Sequence, residues 1–320
     1  MVEQTITKAK LSYRMRESFT RSIPEPTTYM TMRDHFDNLL AQRAVSAGVT
    51  LIDGAKVDRI EADGPVSRVY SGQDVFSGSV LVGADGANSV VAHQLGLMRN
   101  AEIGVGLESE VYPGPGYLEP WKAMLSIDFG TIRGGYMWVF PKKDHLSIGV
   151  ASFARYSTQL RRLLGTYLGS LELGGYEQRL TRGHRLPRRR KGAPIQKGNA
   201  LLVGDAAGLM DFWTGEGIYY AIRSAQLAAP AIGEFLEGGA TDIREYETRV
   251  DAQLMPELRI ARTMARMSVW FPKLGYELMK RSDRVWNLGC RILRAERTYH
   301  DVPMTRGPLG FLFRLMGAGT

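Results

Sequence analysis

The chain has a single cysteine, Cys290, so no disulfide can form within it, and no histidine and acid stand at a spacing that would make that thiol a nucleophile. It reads as a small apolar residue on a helix. The five histidines, His35, His93, His145, His184 and His300, are scattered without paired ligand spacing, and no metal site is expected. Nowhere do about 18 apolar residues follow one another, as a membrane span requires. The opening Met1-Val2-Glu3-Gln4-Thr5-Ile6 lacks the apolar run of a signal peptide, so the expectation is a cytoplasmic protein. No helix-turn-helix, zinc-finger or RNA-recognition pattern is present, and nucleic acid is not expected as a partner. Internal repeats and low-complexity segments are also lacking.

What is present is a chain of 320 residues, 44% of them hydrophobic, enough to bury a sizeable core. Its 41 Lys and Arg against 33 Asp and Glu leave a formal charge of +8. Much of the excess lies in Arg185 to Lys191 and beyond Arg259, where Arg262, Arg266, Lys273, Lys280, Arg281, Arg284, Arg291 and Arg294 are interleaved with Trp, Met, Leu and Phe. The segment Gly310-Phe311-Leu312-Phe313-Arg314-Leu315-Met316 repeats the mixture. Such a pattern suits a helix lying on lipid headgroups, peripheral on the inner face of a membrane; a solvated basic face on a helical cap is the other reading.

Hydrophobic periodicity predicts a helix over Arg33 to Ala47, with Thr31 as N-cap and Phe36, Leu39, Leu40, Ala44 and Ala47 as its apolar stripe. Short strands follow at Val49 to Ile52, Lys56 to Ala62, Ser67 to Tyr70 and Gln73 to Ser77, divided by turn dipeptides that include Asp53-Gly54 and Asp63-Gly64. Ser79 to Ala84 is an almost uninterrupted apolar run, expected of a parallel strand buried on both faces. From Glu102 to about Ile195 the pieces lengthen and their connections shorten, which predicts an antiparallel sheet with one helix over Ser157 to Leu168. Ala200 to Val203 is a second buried strand, followed by a helix from Gly217 to Leu236 and a mainly helical stretch from Asp242 to Glu296.

Two segments carry chemistry. In Gly198-Asn199-Ala200-Leu201-Leu202-Val203-Gly204-Asp205-Ala206-Ala207-Gly208, a buried strand delivers Asp205 at its carboxyl end, where open α/β sheets bind ligands. Gly204 lets backbone and ligand approach closely. Thr214-Gly215-Glu216-Gly217-Ile218 then opens a helix whose N–H groups favour negative charge. The bland alternative is an ordinary strand, turn and helix with a capping acid. Val82-Gly83-Ala84-Asp85-Gly86-Ala87-Asn88-Ser89 repeats the pattern, a buried strand ending in Asp85-Gly86 before a helix. The pair, separated by an insert of about one hundred residues, is more specific than either alone.

With Arg33-Asp34-His35-Phe36-Asp37-Asn38-Leu39-Leu40 and Gly135-Tyr136-Met137-Trp138-Val139-Phe140-Pro141-Lys142 these segments resemble the geranylgeranyl reductase-like family of FAD-dependent oxidoreductases, in the p-hydroxybenzoate hydroxylase-like fold. The resemblance covers residues from about 29 to 236. It implies FAD as cofactor, an arginine sent towards it that maps onto Arg33, a backbone contact to adenine at Val57, and flavin contacts from Asp85, Gly86, Gly204, Asp205, Gly208, Gly215, Gly217 and Ile218. On a strand, Tyr136, Trp138 and Phe140 share one face and make an apolar wall suited to a polyprenyl chain. The other reading of those aromatics is a buried sheet face.

The expected architecture is mixed α/β: a three-layer FAD-binding domain lacking its first βαβ unit, with an inserted antiparallel-sheet substrate domain and a helical C-terminus. Its parts are 1–100 (partial FAD-binding domain), 101–195 (substrate domain), 196–238 (FAD-binding domain, second part) and 239–320 (helical region). The strand, G-x-G-x-x-G turn and helix that hold the FAD pyrophosphate are not found, so a missing N-terminal segment is an expected partner. Lys8 to Ser22 reads as a strand pair that would follow that unit. Phe212 stands where relatives commonly carry proline. The implied activity is reduction of C=C bonds in a geranylgeranyl-type isoprenoid lipid, with electrons from NAD(P)H or a ferredoxin-like donor. Tyr136 and Glu216 are the candidate acids, and Arg188 to Lys191 either hold a phosphate headgroup or form a solvated loop. The alternatives are a flavin-dependent aromatic monooxygenase and a non-catalytic fragment that binds lipid or membrane.

Overall fold

A computed structural model describes residues 1–23, 25–62 and 64–299. The expected turn residue Asp63, His300 and the segment from Gly310 to Met316 lie outside the described residues. In chain order the elements are β1 (Val2–Ile6), β2 (Lys8–Tyr13), β3 (Glu17–Ser22), β4 (Thr28–Thr31), α1 (Arg33–Ser46), β5 (Arg59–Glu61), β6 (Ser67–Ser71), β7 (Asp74–Gly78), β8 (Leu81–Gly83) and α2 (Val90–Leu95). Next come β9 (Glu102–Pro113), β10 (Met124–Phe129), β11 (Tyr136–Pro141), β12 (Leu146–Phe153), α3 (Leu160–Ser170), β13 (Tyr176–Arg188), β14 (Gln196–Lys197) and β15 (Ala200–Leu202). The chain continues through α4 (Ile218–Leu236), α5 (Arg244–Gln253), α6 (Met255–Trp270), α7 (Pro272–Arg281) and α8 (Asp283–Leu293). The fold is mixed α/β, as expected.

The described residues divide into two compact units: those within 1–51, 105–184 and 265–299 form the first, and those within 52–104 and 185–264 the second. This division departs from the expected boundaries at 100, 195 and 238. The reason lies in the N-terminal strands. β2 hydrogen-bonds β10 in parallel, Lys8 opposite Met124 through Tyr13 opposite Phe129, so the strand pair that was expected in the cofactor domain extends the large sheet instead. The helical tail also divides: α5 contributes Tyr246 and Val250 to the core of the second unit, whereas α7 and α8 place Tyr276, Trp286 and Cys290 against the large sheet.

The first unit is built on a seven-stranded sheet in the order β13-β9-β12-β11-β10-β2-β3. Alternation along β11 buries Met137 and Val139 on one face, where α3 covers them with Leu160, Leu163, Leu164, Tyr167 and Leu168, the 3-and-4 spacing of an amphipathic helix. The opposite face carries the aromatic row. Helix α1 buries none of its residues, so the predicted stripe of Leu39 and Leu40 is exposed. The predicted strand at Val49 to Ile52 does not form, and these apolar residues are exposed too.

The second unit holds the three-stranded sheet β14-β15-β8. β8 and β15 run parallel, Leu81 opposite Ala200 and Gly83 opposite Leu202, and Leu201 and Leu202 are fully buried. α2, α4 and α5 bury apolar residues in the same core, with α5 packed against both α4 and β14. The Arg185-to-Lys191 run is partly internal. Arg189 is buried; it donates from Nε to the Ala193 carbonyl at 2.7 Å and pairs through its terminal nitrogens with Glu247 and Asp251 at 2.6 Å. Arg188 is buried as well and pairs with Glu102, which also binds Arg262. A buried guanidinium stripped of water is stable only with its full set of acceptors, and removing one side of such a pair costs about 3–5 kcal/mol. Arg189→Met leaves Glu247 and Asp251 without their cation, and its urea midpoint is expected to fall by the equivalent of about 3 kcal/mol, at the low end because both acids are partly exposed.

Candidate functional site

The two strand-end motifs meet in the second unit, because parallel pairing of β8 with β15 puts both carboxyl ends at the same edge of the sheet. Gly83 has to be glycine for this: a Cβ there would lie 2.6 Å from Leu202 Cδ2 and 2.8 Å from Val91 Cβ. Asp85 follows and caps α2. Its Oδ1 accepts from Ser89 Oγ at 2.6 Å and its Oδ2 from the Val90 and Val91 N–H groups at 2.7 and 3.2 Å, while Ser89 Oγ accepts from Ala92 N–H. Both Asp85 oxygens are thus used to hold the Asp-Gly turn in shape. Gly86 sits in the left-handed region, φ +73°, with open space where a side chain would stand.

At the end of β15, Gly204 (φ +56°) donates its N–H to Ser224 Oγ of α4 at 2.9 Å, and a Cβ on it would come 3.1 Å from Ala221 Cβ. Gly208 (φ +62°) lies so close to Met98 and the Arg189 backbone that no side chain fits. Half-buried Asp205 faces the start of α4: a Cβ on Gly217 would lie 3.4 Å from its Oδ1. Buried Asp211 shapes the intervening loop, accepting from Trp213 and Thr214 N–H groups at 2.7 and 3.1 Å, while its carbonyl takes Gly215 N–H at 2.9 Å. Phe212, the departure from the usual proline, anchors that loop through packing; a Cβ on Gly104 would lie 2.6 Å from its ring. Gly215 (φ +80°), Ile218 and Tyr219 are exposed at the mouth of α4. Glu216 caps this helix, its Oε1 accepting Tyr219 N–H at 2.9 Å.

The residues present fit the ribityl and flavin portion of FAD. Asp205 offers a carboxylate to polyol hydroxyls, the glycines at 86, 215 and 217 keep backbone accessible, and the 19-residue helix α4 aims its positive end at the same place. The other cofactor candidates lie elsewhere. Val57 is half-buried against the core of the second unit, and Arg33, in the first unit, is exposed and pairs with Asp37 at 3.0 Å.

In the first unit, Tyr136, Trp138 and Phe140 share the half-buried face of β11, with ring centroids 6.0 Å apart in each successive pair. Trp138 lies flat across β12 because its register partner is Gly149; a Cβ there would come 2.1 Å from Trp138 Cζ2. Beside this row runs a polar chain that the sequence reading missed. Trp138 Nε1–H donates to Ser147 Oγ at 3.3 Å, Ser147 Oγ donates to Glu108 Oε2 at 3.0 Å, and Glu108 Oε1 stands 3.8 Å from His184 Nε2. The histidine holds Glu108 below the usual carboxylate range, and the carboxylate in turn raises His184 above its ordinary value. Burial lowers the nearby Lys142. Neither Glu108 nor His184 belongs to a local motif, since they are joined only when β9 and β13 become neighbours in the sheet.

No family model matches the chain. Among curated proteins it is 30% identical over 232 residues to an uncharacterized protein of Methanosarcina barkeri, spanning 72% of this chain and 59% of that one. It is 28% identical over 253 residues to the chloroplastic geranylgeranyl diphosphate reductase of Arabidopsis thaliana (72% and 54%), and 28% over 264 residues to the digeranylgeranylglycerophospholipid reductase of Methanocaldococcus jannaschii (75% and 66%). The chain therefore spans between 54% and 59% of the first relatives it matches. Among solved structures, a geranylgeranyl bacteriochlorophyll reductase-like protein of Thermoplasma acidophilum superposes with a TM-score of 0.74 at 18% identity, over 92% of this chain and 76% of that one. The flavin-dependent brominase Bmp2 follows the same fold at 0.69 and 16% identity, over 98% and 81%. Strand-end motifs, aromatic strand and these likenesses agree, and the chain is similar to geranylgeranyl reductases and shares the fold of a reductase-like flavoprotein.

Proposed function

We propose that this chain is the substrate-facing and flavin-facing part of an FAD-dependent oxidoreductase that reduces C=C bonds of a polyprenyl lipid. The observation that carries this reading is the aromatic row of Tyr136, Trp138 and Phe140, with Trp138 laid flat over Gly149, a long and largely apolar surface. A flat wall of this kind orients a flexible chain so that one double bond is presented at a time. Asp205, Gly86, Gly215, Gly217 and Ile218 would hold the flavin, whose reduced form supplies hydride when bound. NAD(P)H or a ferredoxin-like protein renews the electrons. An aromatic monooxygenase would need a compact pocket with polar groups for a ring substituent, and the row offers a strip.

A further segment carrying G-x-G-x-x-G supplies the pyrophosphate grip. β8 ends the order β14-β15-β8, which is where a further parallel strand would pair. The protein also rests on a membrane surface. No helix among the described residues is long and apolar enough to cross a bilayer, but Trp270 (64% exposed), Phe271 and Leu274 project from the α6–α7 corner beside Lys273, Lys280 and Arg281. Exposed aromatics ringed by cations are suited to anionic headgroups.

Three measurements test these statements. Supplied with FAD, the protein is expected to show a flavin band and a raised melting temperature, and with a reductant to add two hydrogens per double bond to a geranylgeranyl lipid by mass spectrometry; neither band nor shift would sink the reading. Gly149→Val pushes the Trp138 indole off β12, and turnover of the isoprenoid should drop at least tenfold while FAD affinity holds. Sedimentation with vesicles containing anionic lipid should pull down the protein at low salt, less at high salt, and far less for Trp270→Ser/Phe271→Ser.

A further inference from the structure

Away from the flavin-facing edge and the aromatic wall, two residues of the first unit stand in a backbone conformation that side chains like theirs rarely adopt. Arg14 and Met15, the central pair of the turn between β2 and β3, lie in the left-handed region at φ +55° and +54°. Arg16 N–H closes the turn on the Tyr13 carbonyl at 3.2 Å. Asn-Gly fills such a turn at little cost, whereas two residues with long side chains persist there only when the surrounding structure holds them. Buried Asp128 does the holding: its Oδ2 accepts from Met15 N–H at 2.6 Å and from Ser12 Oγ at 2.7 Å, and its Oδ1 accepts from Thr131 Oγ1. Arg14 N–H donates to the Phe129 carbonyl at 2.8 Å. Across the turn, Gly130 (φ +79°) lies so close to Tyr13 that a Cβ on it would come 2.5 Å from Tyr13 Cε2.

The turn so held opens on a hollow of about 370 Å³ lined by Arg14, Arg16, Gly130 and Thr131. Both arginines are exposed, and among the described residues neither guanidinium has a carboxylate partner. The Thr131 hydroxyl donates to Asp128, so the side-chain donors lining the hollow are the two guanidiniums. Forked donors of that kind match the oxygens of a phosphate. More positive charge stands alongside. Lys273 Nζ lies 5.9 Å from the centroid of the Tyr13 ring, which Arg14 also faces at 5.3 Å, and Arg133 Cζ lies 5.4 Å from the centroid of the Trp270 ring. Of the acids nearby, Glu17 is 4.0 Å from Lys273 and Asp128 is turned to its three donors, so positive charge prevails. These contacts put the hollow beside Trp270 and Phe271, the exposed aromatics of the α6–α7 corner.

We infer that this hollow binds the phosphate of an anionic phospholipid while Trp270 and Phe271 enter the same leaflet, an inference that rests on the membrane reading given above and adds a head-group site to it. Arg14 and Arg16 donate to the phosphate oxygens. Lys273 and Arg133 add attraction to the anionic surface, and the aromatic corner takes the boundary between head groups and acyl chains. A turn that did no more than reverse the chain would be better served by Asn or Gly at both central positions. Replacing Arg14 by Asn therefore separates what the turn binds from how it folds.

The test uses the full chain and sedimentation with phosphatidylcholine vesicles, with and without phosphatidylglycerol. Arg14→Asn/Arg16→Gln keeps the turn, because Asn tolerates the left-handed region, and its melting temperature should be no lower than that of wild type. Its affinity for the phosphatidylglycerol vesicles should fall about tenfold or more, whereas Arg161→Gln/Arg162→Gln, which removes the same charge from the exposed side of α3, should cost less than about twofold. In wild type, bound vesicles should shield Arg14 and Arg16 from phenylglyoxal, read by mass spectrometry, and glycerol phosphate at the same phosphate concentration should not. Equal binding by wild type and Arg14→Asn/Arg16→Gln, or equal losses in the two double variants, overturns the head-group site and leaves the membrane reading standing. Shielding by glycerol phosphate and not by vesicles makes the ligand a soluble phosphate ester and overturns the lipid assignment. Should wild type bind no vesicle at all, the membrane reading fails and takes the head-group site with it.

Discussion

Parallel pairing of two three-residue strands is the constraint from which the second unit takes its form. β8 and β15 exchange hydrogen bonds from Leu81 N–H to the Asn199 carbonyl through Val203 N–H to the Gly83 carbonyl, and the buried side chains of β15 leave no room for slippage. Because the strands are parallel, the chain emerges from both on the same side, and Asp85 and Asp205 arrive there together. Gly83 permits α2 to press onto the ladder, Tyr246 of α5 donates its hydroxyl to the Leu202 carbonyl at 2.6 Å, and Arg189 ties the approach to β15 onto α5. The short ladder is therefore clamped from the helices on it, which offsets the weakness of so few strand residues.

The two carboxylates serve different ends although their motifs look alike. Asp85 spends its oxygens on Ser89 Oγ and two backbone N–H groups, a local device that sets the Asp-Gly turn and the start of α2. Asp205 stands against Gly217 at the head of α4. One shapes the site and the other faces it. The first unit shows a comparable division across a single sheet. Met137 and Val139 disappear under α3, and the intervening Tyr136, Trp138 and Phe140 form a wall whose flatness depends on the absence of a side chain at Gly149.

Some of this could be read directly from the residues. Period-two alternation announced β11, helices were expected close to where α3 and α4 form, and strand-turn-helix punctuation marked Asp85 and Asp205. The boundaries at 100, 195 and 238 were not legible, because Lys8 to Tyr13 carry no mark that says which strand they will join; the choice of β10 is made by pairing across more than a hundred residues. The basic run from Arg185 to Lys191 looked uniform, yet Arg188 and Arg189 turn inward to acids at Glu102, Glu247 and Asp251. Composition counts charges and has no means of telling which are internal.

By itself the sequence determined the α/β class, the strand-end acids and the aromatic face, since each depends on periods of two or 3.6 residues or on turn chemistry between near neighbours. Tertiary structure alone decided that Asp85 and Asp205 share one sheet edge, that Gly149 lies beneath Trp138, and that Glu108 meets His184. These are contacts between distant segments, formed when strands choose their partners, and Glu108 and His184, once brought together, each favour the other's charged form.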